Sequence, residues 1–195
     1  MSATPGKDSS PDAVKSVLVP IATGSEEMEA VIIIDVLRRA GALVTVASVE
    51  PVLEVVCSRG VKLVADCLIT SCADTTYDLI VIPGGMPGAD HLNSCAVLGK
   101  LLQQQVEQQR MYAAICAAPA VVFGSQGLLK GKKATAHPAF SARLEDQSSV
   151  ASRVVVDGLL TTSRGPGTAF EFALSLVSQL YGPEKSQVVA GPMVM

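Results

Sequence analysis

The chain has 195 residues, 49% hydrophobic and 17% charged, with a formal net charge of −3. That is enough apolar material for one large domain with a sizeable core. A net negative chain with no Lys/Arg-rich block excludes a phosphate-tracking nucleic-acid surface, and no apolar stretch approaches the roughly 20 residues of a membrane span. Tryptophan is absent and aromatics make up 4%, so the core must be aliphatic, which suits helices layered on buried parallel strands.

Met1 to Asp12 is rich in Ser, Pro, Asp and Gly and lacks the apolar region of a signal peptide. Residues 1–14 are therefore expected to form a disordered leader, and 15–195 a single domain. Ser16 to Ala22 predicts the first strand. Gly24-Ser25 opens a helix with Glu26, Glu27 and Glu29 in its first turn, where acidic groups suit the helix dipole. That helix runs through Ile33, Val36 and Leu37 and stops at Ala40-Gly41. Val44 to Val49 predicts a second strand, broken by Glu50-Pro51. Val52–Cys57 and Val61–Val64 read as short strands around Ser58-Arg59-Gly60. Leu79–Ile82 is a buried strand ending in Pro83-Gly84-Gly85. Val97–Gln109 predicts an amphipathic helix, and Tyr112–Ile115 a strand leading to Cys116, followed by a helix ending near Gly127. Lys133–Ala136 reads as a strand entering His137-Pro138. Two β-rich runs within Val154–Thr162 join at Asp157-Gly158 as a hairpin, and Ala169–Leu180 is an apolar helix. Alternating strands and helices with an inserted hairpin predict a three-layer α/β/α sandwich around a mostly parallel sheet.

Cys116 closes an apolar run and opens the small-residue turn Ala117-Ala118-Pro119. A buried strand breaking into a helix there puts a thiol at the helix N-terminus, where the dipole favours thiolate. A packing cysteine is the plain alternative. Ala22–Glu29, Pro83–Gly85, Cys116 and His137 each follow an expected strand. In a parallel sheet such positions converge on one edge. Gly84-Gly85 offers bare amides to an oxyanion. If the thiol needs an imidazole base, His137 at a strand end suits it better than His91 in a polar loop. Spacing alone does not separate Glu29 from Glu26 and Glu27. Ser163-Arg164-Gly165-Pro166-Gly167-Thr168 lacks the Lys-Ser/Thr of a P-loop and reads as a rigid turn capped by Thr168. The five cysteines form no CxxC pair, and with only two histidines no zinc-ligand spacing appears. A reducing compartment, the cytoplasm, is expected, with nuclear import left open.

Together, several segments resemble the ThiJ/PfpI superfamily, and closely its parkinsonism-associated deglycase branch. They are Gly24-Ser25-Glu26-Glu27-Met28-Glu29, Asp35 to Gly41, Cys57-Ser58-Arg59, Pro83-Gly84-Gly85, Ala114 to Pro119, His137-Pro138 and Thr162 to Thr168 with Phe170-Glu171-Phe172. The resemblance implies a flavodoxin-like sandwich, a homodimer, and no cofactor or metal. It makes Cys116 the nucleophile, Glu29 a protonated acid bonded to its thiolate, and His137 a neighbour. It gives Gly85 and Ala117 the oxyanion amides and sets Arg59 near the pocket, across a dimer interface. Ala117 stands where PfpI-type proteases carry His, which argues against peptidase activity. Plant relatives often carry two such domains in tandem, so the chain resembles one half. The implied activity is a glutathione-independent glyoxalase acting on a small 2-oxoaldehyde, with protein deglycation by the same chemistry. The alternatives are a redox-sensing stress-protective protein or chaperone acting through oxidation of the same cysteine, or a noncatalytic chaperone-like dimer in which it is inert.

Overall fold

The computed structural model describes residues 14–195; apart from Val14, the expected leader lies outside the described residues. β1 (Ser16–Ile21) is apolar on both faces and almost wholly buried, which fits a strand covered by helices on either side. α1 (Glu27–Arg39) follows and returns the chain to β2 (Leu43–Ser48). A two-stranded hairpin, β3 (Glu54–Val56) with β4 (Lys62–Val64), stands outside the main sheet. Next come β5 (Cys67–Leu68), β6 (Leu79–Ile82), α2 (Gly88–Ser94), α3 (Ala96–Glu107) and β7 (Met111–Ile115). A short α4 (Pro138–Ser141), the hairpin β8 (Val154–Asp157) and β9 (Leu160–Ser163), α5 (Ala169–Tyr181) and α6 (Pro183–Ala190) complete the fold.

The main sheet runs β5-β2-β1-β6-β7-β9-β8 and is parallel except for the β8–β9 hairpin. Two aliphatic cores sandwich it. Ile33, Val36 and Leu37 of α1 meet Phe172, Leu176 and Val177 of α5 on one face. Leu98 and Leu102 of α3 pack with Phe123, Leu18 and Ile80 on the other.

The structure departs from the sequence reading at several elements. Lys133–Ala136 is not a strand. Thr162 of β9, which the segment meets, already pairs with Val155 and Ala114 on its two sides, so β9 offers it no ladder. It binds instead through the Thr135 N–H to Thr162 Oγ1 at 2.9 Å and the Lys133 N–H to Asp157 Oδ2 at 2.8 Å. The segment after Cys116 is no ordinary helix but a six-residue π-helical stretch, Pro119–Gly124. The helix expected over Val97–Gln109 ends at Glu107, with Gln109 left-handed at φ 52°. β5, α2, α4 and α6 were not foreseen; at α2 and α6 the glycine and proline at their starts read as loop signals in the sequence.

Phe172 is fully buried between α5 and the sheet. Phe172→Ala is expected to destabilise the fold by about 3–5 kcal/mol, measured by urea unfolding.

Candidate active site

The loop after β1 and the loop after β6 approach backbone to backbone. The Glu26 N–H donates to the Gly84 carbonyl at 2.9 Å, and the Ser58 N–H donates to the Ser25 carbonyl at 2.9 Å. A side chain at Gly24 would strike Pro87, and one at Gly85 or Gly88 would strike the Gly24–Glu26 backbone. Gly85 also holds φ at +89°, where only glycine is at ease. Glycine is therefore needed where these loops touch.

This contact orients two carboxylates of one helix turn in opposite ways. Glu27 accepts from Ser58 Oγ and the Arg59 N–H, each at 2.8 Å. Burial pushes its carboxyl up, but hydrogen bonds from its own backbone, Ser58 and Arg59 outweigh that and hold it below the usual range. Glu29 points inward and is fully buried. Its Oε2 accepts the Gly84 N–H at 2.7 Å. Its Oε1 is buried with no partner in hydrogen-bond geometry. Burial pushes Glu29 up to about 7, against the Gly84 bond; the charge of Glu26 adds to the rise. The structure thus singles out Glu29, which spacing left undecided.

Cys116 terminates β7 with φ +66°, a left-handed turn at a non-glycine residue, and is 9% exposed. Such a conformation costs of order 1–2 kcal/mol and persists only when neighbours fix it. Two main-chain bonds do so. The Cys116 N–H donates to the Ser163 carbonyl at 3.0 Å, and its carbonyl accepts the His137 N–H at 2.8 Å. A Cβ at Gly84 would come within 2.5 Å of the Cys116 Cβ, so the thiol can stand here only beside a glycine.

The thiol lies against Glu29, with the Gly85 and Ala117 amides directed at it. Burial first, and the Glu29 charge after it, push it up to about 12 against the two amides. The dipole-lowered thiol expected from the sequence is corrected here. The π-helical stretch is only six residues long, and burial beside a carboxylate wins. The charge state of one group bears on the other. While Glu29 keeps its proton, the largest charge opposing thiolate is gone and an O–H donor remains next to the sulfur.

The Gly85 and Ala117 amides both face the thiol. Gly84 is close by but holds Glu29 rather than facing an oxyanion. His137 meets Cys116 through its backbone. Its ring Nδ1 accepts the Ala139 N–H at 3.2 Å, and among the described residues no side-chain hydrogen bond joins it to the thiol. Arg59 is exposed on the β3–β4 turn and reaches the site only through its N–H on Glu27. His91 pairs with Glu50 at 2.7 Å. Thr168 Oγ1 accepts the Gly165 N–H at 3.1 Å and bonds Ser163 Oγ at 2.7 Å, so it braces the loop behind Cys116 rather than capping α5. Sequence reasoning missed Ser163, whose carbonyl anchors the Cys116 amide; no residue-type signal marks a backbone acceptor. Among the described residues, no group of three or more His, Cys, Asp or Glu side chains could hold a metal ion.

A parallel sandwich with a left-handed cysteine elbow and a buried acid at its strand ends defines a flavodoxin-like thiol protein. The chain belongs to the DJ-1/PfpI family, which its residues 15–179 match. It is 51% identical over 184 residues to the Arabidopsis thaliana protein DJ-1 homolog B, covering 94% of this chain but 42% of that relative. It thus spans less than half of that plant relative's length. It is 37% identical over 175 residues to a Caenorhabditis elegans protein named glutathione-independent glyoxalase DJR-1.2, covering 88% and 91% of the two chains. An oxidised Toxoplasma gondii DJ-1 superposes with TM-score 0.91 at 48% identity, over 93% of this chain and 98% of the other.

The folded-state pKa of Glu29, about 7, lies above its reference value of 4.5, so the folded protein holds an extra proton between the two. The stability it contributes is complete below pH 4.5 and is lost as pH rises through about 7. Relative to Glu29→Gln, the native protein is expected to lose roughly 3 kcal/mol between pH 4.5 and pH 8 in urea unfolding.

Proposed function

We propose that this chain is a glutathione-independent glyoxalase that converts methylglyoxal to lactate and glyoxal to glycolate. The observation that carries this reading is the buried Glu29 carboxyl beside the Cys116 thiol, with its pKa near neutrality. The Cys116 thiol gives its proton to the Glu29 carboxylate as its sulfur adds to the aldehyde carbon. Glu29 gives its proton to the new alkoxide, forming a hemithioacetal. As a carboxylate, Glu29 then takes the proton from that carbon and, through an enediol, returns it to the neighbouring carbon. The product is a thioester, which water hydrolyses to the hydroxy acid with release of the thiol. A single group that both gives and accepts a proton works best with a pKa near the working pH. The Gly85 and Ala117 amides, aimed at the sulfur, lie close to where the alkoxide forms. His137 is assigned to the rim, near Gly165. Protein deglycation follows from the same aldehyde addition. The nematode relative's name supports the reading.

We further propose that the chain works as a dimer through α1 and the β3–β4 hairpin. Met28, Val31, Val61 and Val64 are all exposed there, around a shallow hollow of about 300 Å³ lined by Glu27, Met28, Val31, Ile32 and Val61. Such a patch suits a second copy or the second half of a tandem chain.

Lactate formation from methylglyoxal without glutathione is the direct test. Cys116→Ser is expected to abolish it, and Glu29→Gln to lower kcat by roughly 10²–10⁴-fold. Full turnover by Cys116→Ser would sink the mechanism. Light scattering is expected to give twice the chain mass, and Val31→Lys a monomer; a native monomer would rule out the dimer of this chain.

A further inference from the structure

Cys67 and Cys72 bring their sulfurs within 3.6 Å of each other. Cys67 opens β5, an edge strand that pairs only with β2, through Ala47↔Cys67 and Ser48↔Leu68. The chain then turns through a single 3₁₀ turn, Ile69–Cys72, and folds Cys72 back toward Cys67. Cys72 is buried, and the Tyr77 hydroxyl hydrogen-bonds to it. Cys67 is half-buried and reachable from solvent. Three strands, β2, β1 and β6, separate β5 from the β7 strand that carries Cys116. This pair therefore takes no part in the site described above.

We propose that Cys67 and Cys72 are a peroxide-oxidised dithiol that closes to a reversible intramolecular disulfide. A disulfide needs the sulfurs about 2 Å apart, so they approach by about 1.5 Å. The two lie at an edge strand and a short turn, where side-chain rotation meets little resistance from a ladder. The Cys67 thiolate attacks one oxygen of hydrogen peroxide; the O–O bond breaks, water leaves after protonation, and Cys67 becomes a sulfenic acid. The Cys72 sulfur then displaces the Cys67 hydroxyl, which leaves as a second water with the Cys72 proton. Two thiols lose two electrons to one peroxide.

The accessible Cys67 is the attacking thiol and the buried Cys72 resolves it. Burial, and after it the neighbouring Cys72 sulfur, push Cys67 up to about 11. Only thiolate reacts, so closure is slow at neutral pH and quickens about tenfold per pH unit below that value. The closed ring fastens the end of the edge strand to its following turn. This assignment is independent of the glyoxalase reading, because it needs neither Cys116 nor Glu29.

The test uses the full chain carrying Cys116→Ser, treated with hydrogen peroxide at pH 7, 8 and 9, then alkylated and cut with chymotrypsin. Cleavage after Leu68 separates the two cysteines, so only a disulfide keeps their peptides joined. The expected product is the joined pair, 2 Da lighter than the two thiol peptides together, forming about tenfold faster per pH unit and released by dithiothreitol. The same product in the otherwise unaltered chain guards against a folding defect in the variant. Adding Cys67→Ser is expected to leave Cys72 alkylated. Oxidation of Cys67 to sulfinic acid with Cys72 still free, or a disulfide joining two chains instead, would overturn the assignment.

Discussion

A carboxyl buried beside a thiol is the constraint from which the rest of the site follows. Removing Glu29 from water is costly unless its oxygens are bonded or it keeps its proton. The fold uses both remedies. Gly84 donates to one oxygen, and burial keeps a proton on the group up to about neutral pH. The first remedy requires the β6 loop to run within touching distance of α1's first turn, which is why side chains are missing at Gly24, Gly85 and Gly88. The second is what makes the pair chemically useful, since the acid is poised where it can both give and take a proton.

The sheet supplies the rest. β1, β6, β7 and β9 are adjacent and parallel, so the segments leaving their carboxyl ends meet without any long excursion. β1 brings Glu29, β6 brings Gly84 and Gly85, β7 brings Cys116, and β9 brings the Ser163 carbonyl. His137 is the exception. It arrives from a segment without a ladder, held by side-chain bonds to β8 and β9, and its backbone rather than its ring meets Cys116.

Much of this was legible in the sequence. Apolar runs such as Leu79–Ile82 and Tyr112–Ile115 named the central strands because a strand buried on both faces has no polar alternation to confuse it. The small residues after Ile115 marked the elbow. What stayed hidden depends on atoms that residue type does not report. Glu27 and Glu29 are chemically identical two positions apart, and only the rotation of α1 against the β6 loop turns one onto Gly84 and ties the other to Ser58. The direction of the Cys116 shift was misread because a helix N-terminus is visible in sequence while the partner carboxylate and its desolvation are not. Lys133–Ala136 has strand-like residues but bonds to side chains of β8 and β9 instead of a ladder. The Cys67–Cys72 contact escaped because no spacing rule covers a strand that doubles back through one 3₁₀ turn.

The left-handed elbow at Cys116 is fixed by its own N–H and C=O, on Ser163 and His137, not by its side chain. The position is therefore a mounting point whose geometry is indifferent to what it carries. A hydroxyl, a selenol or a bare hydrogen at residue 116 would stand at the same spot before the same amides and the same acid. The scaffold can thus exchange one reactive group for another without rebuilding its frame, so divergence of chemistry within such a fold needs few substitutions, concentrated at the rim and at this one corner.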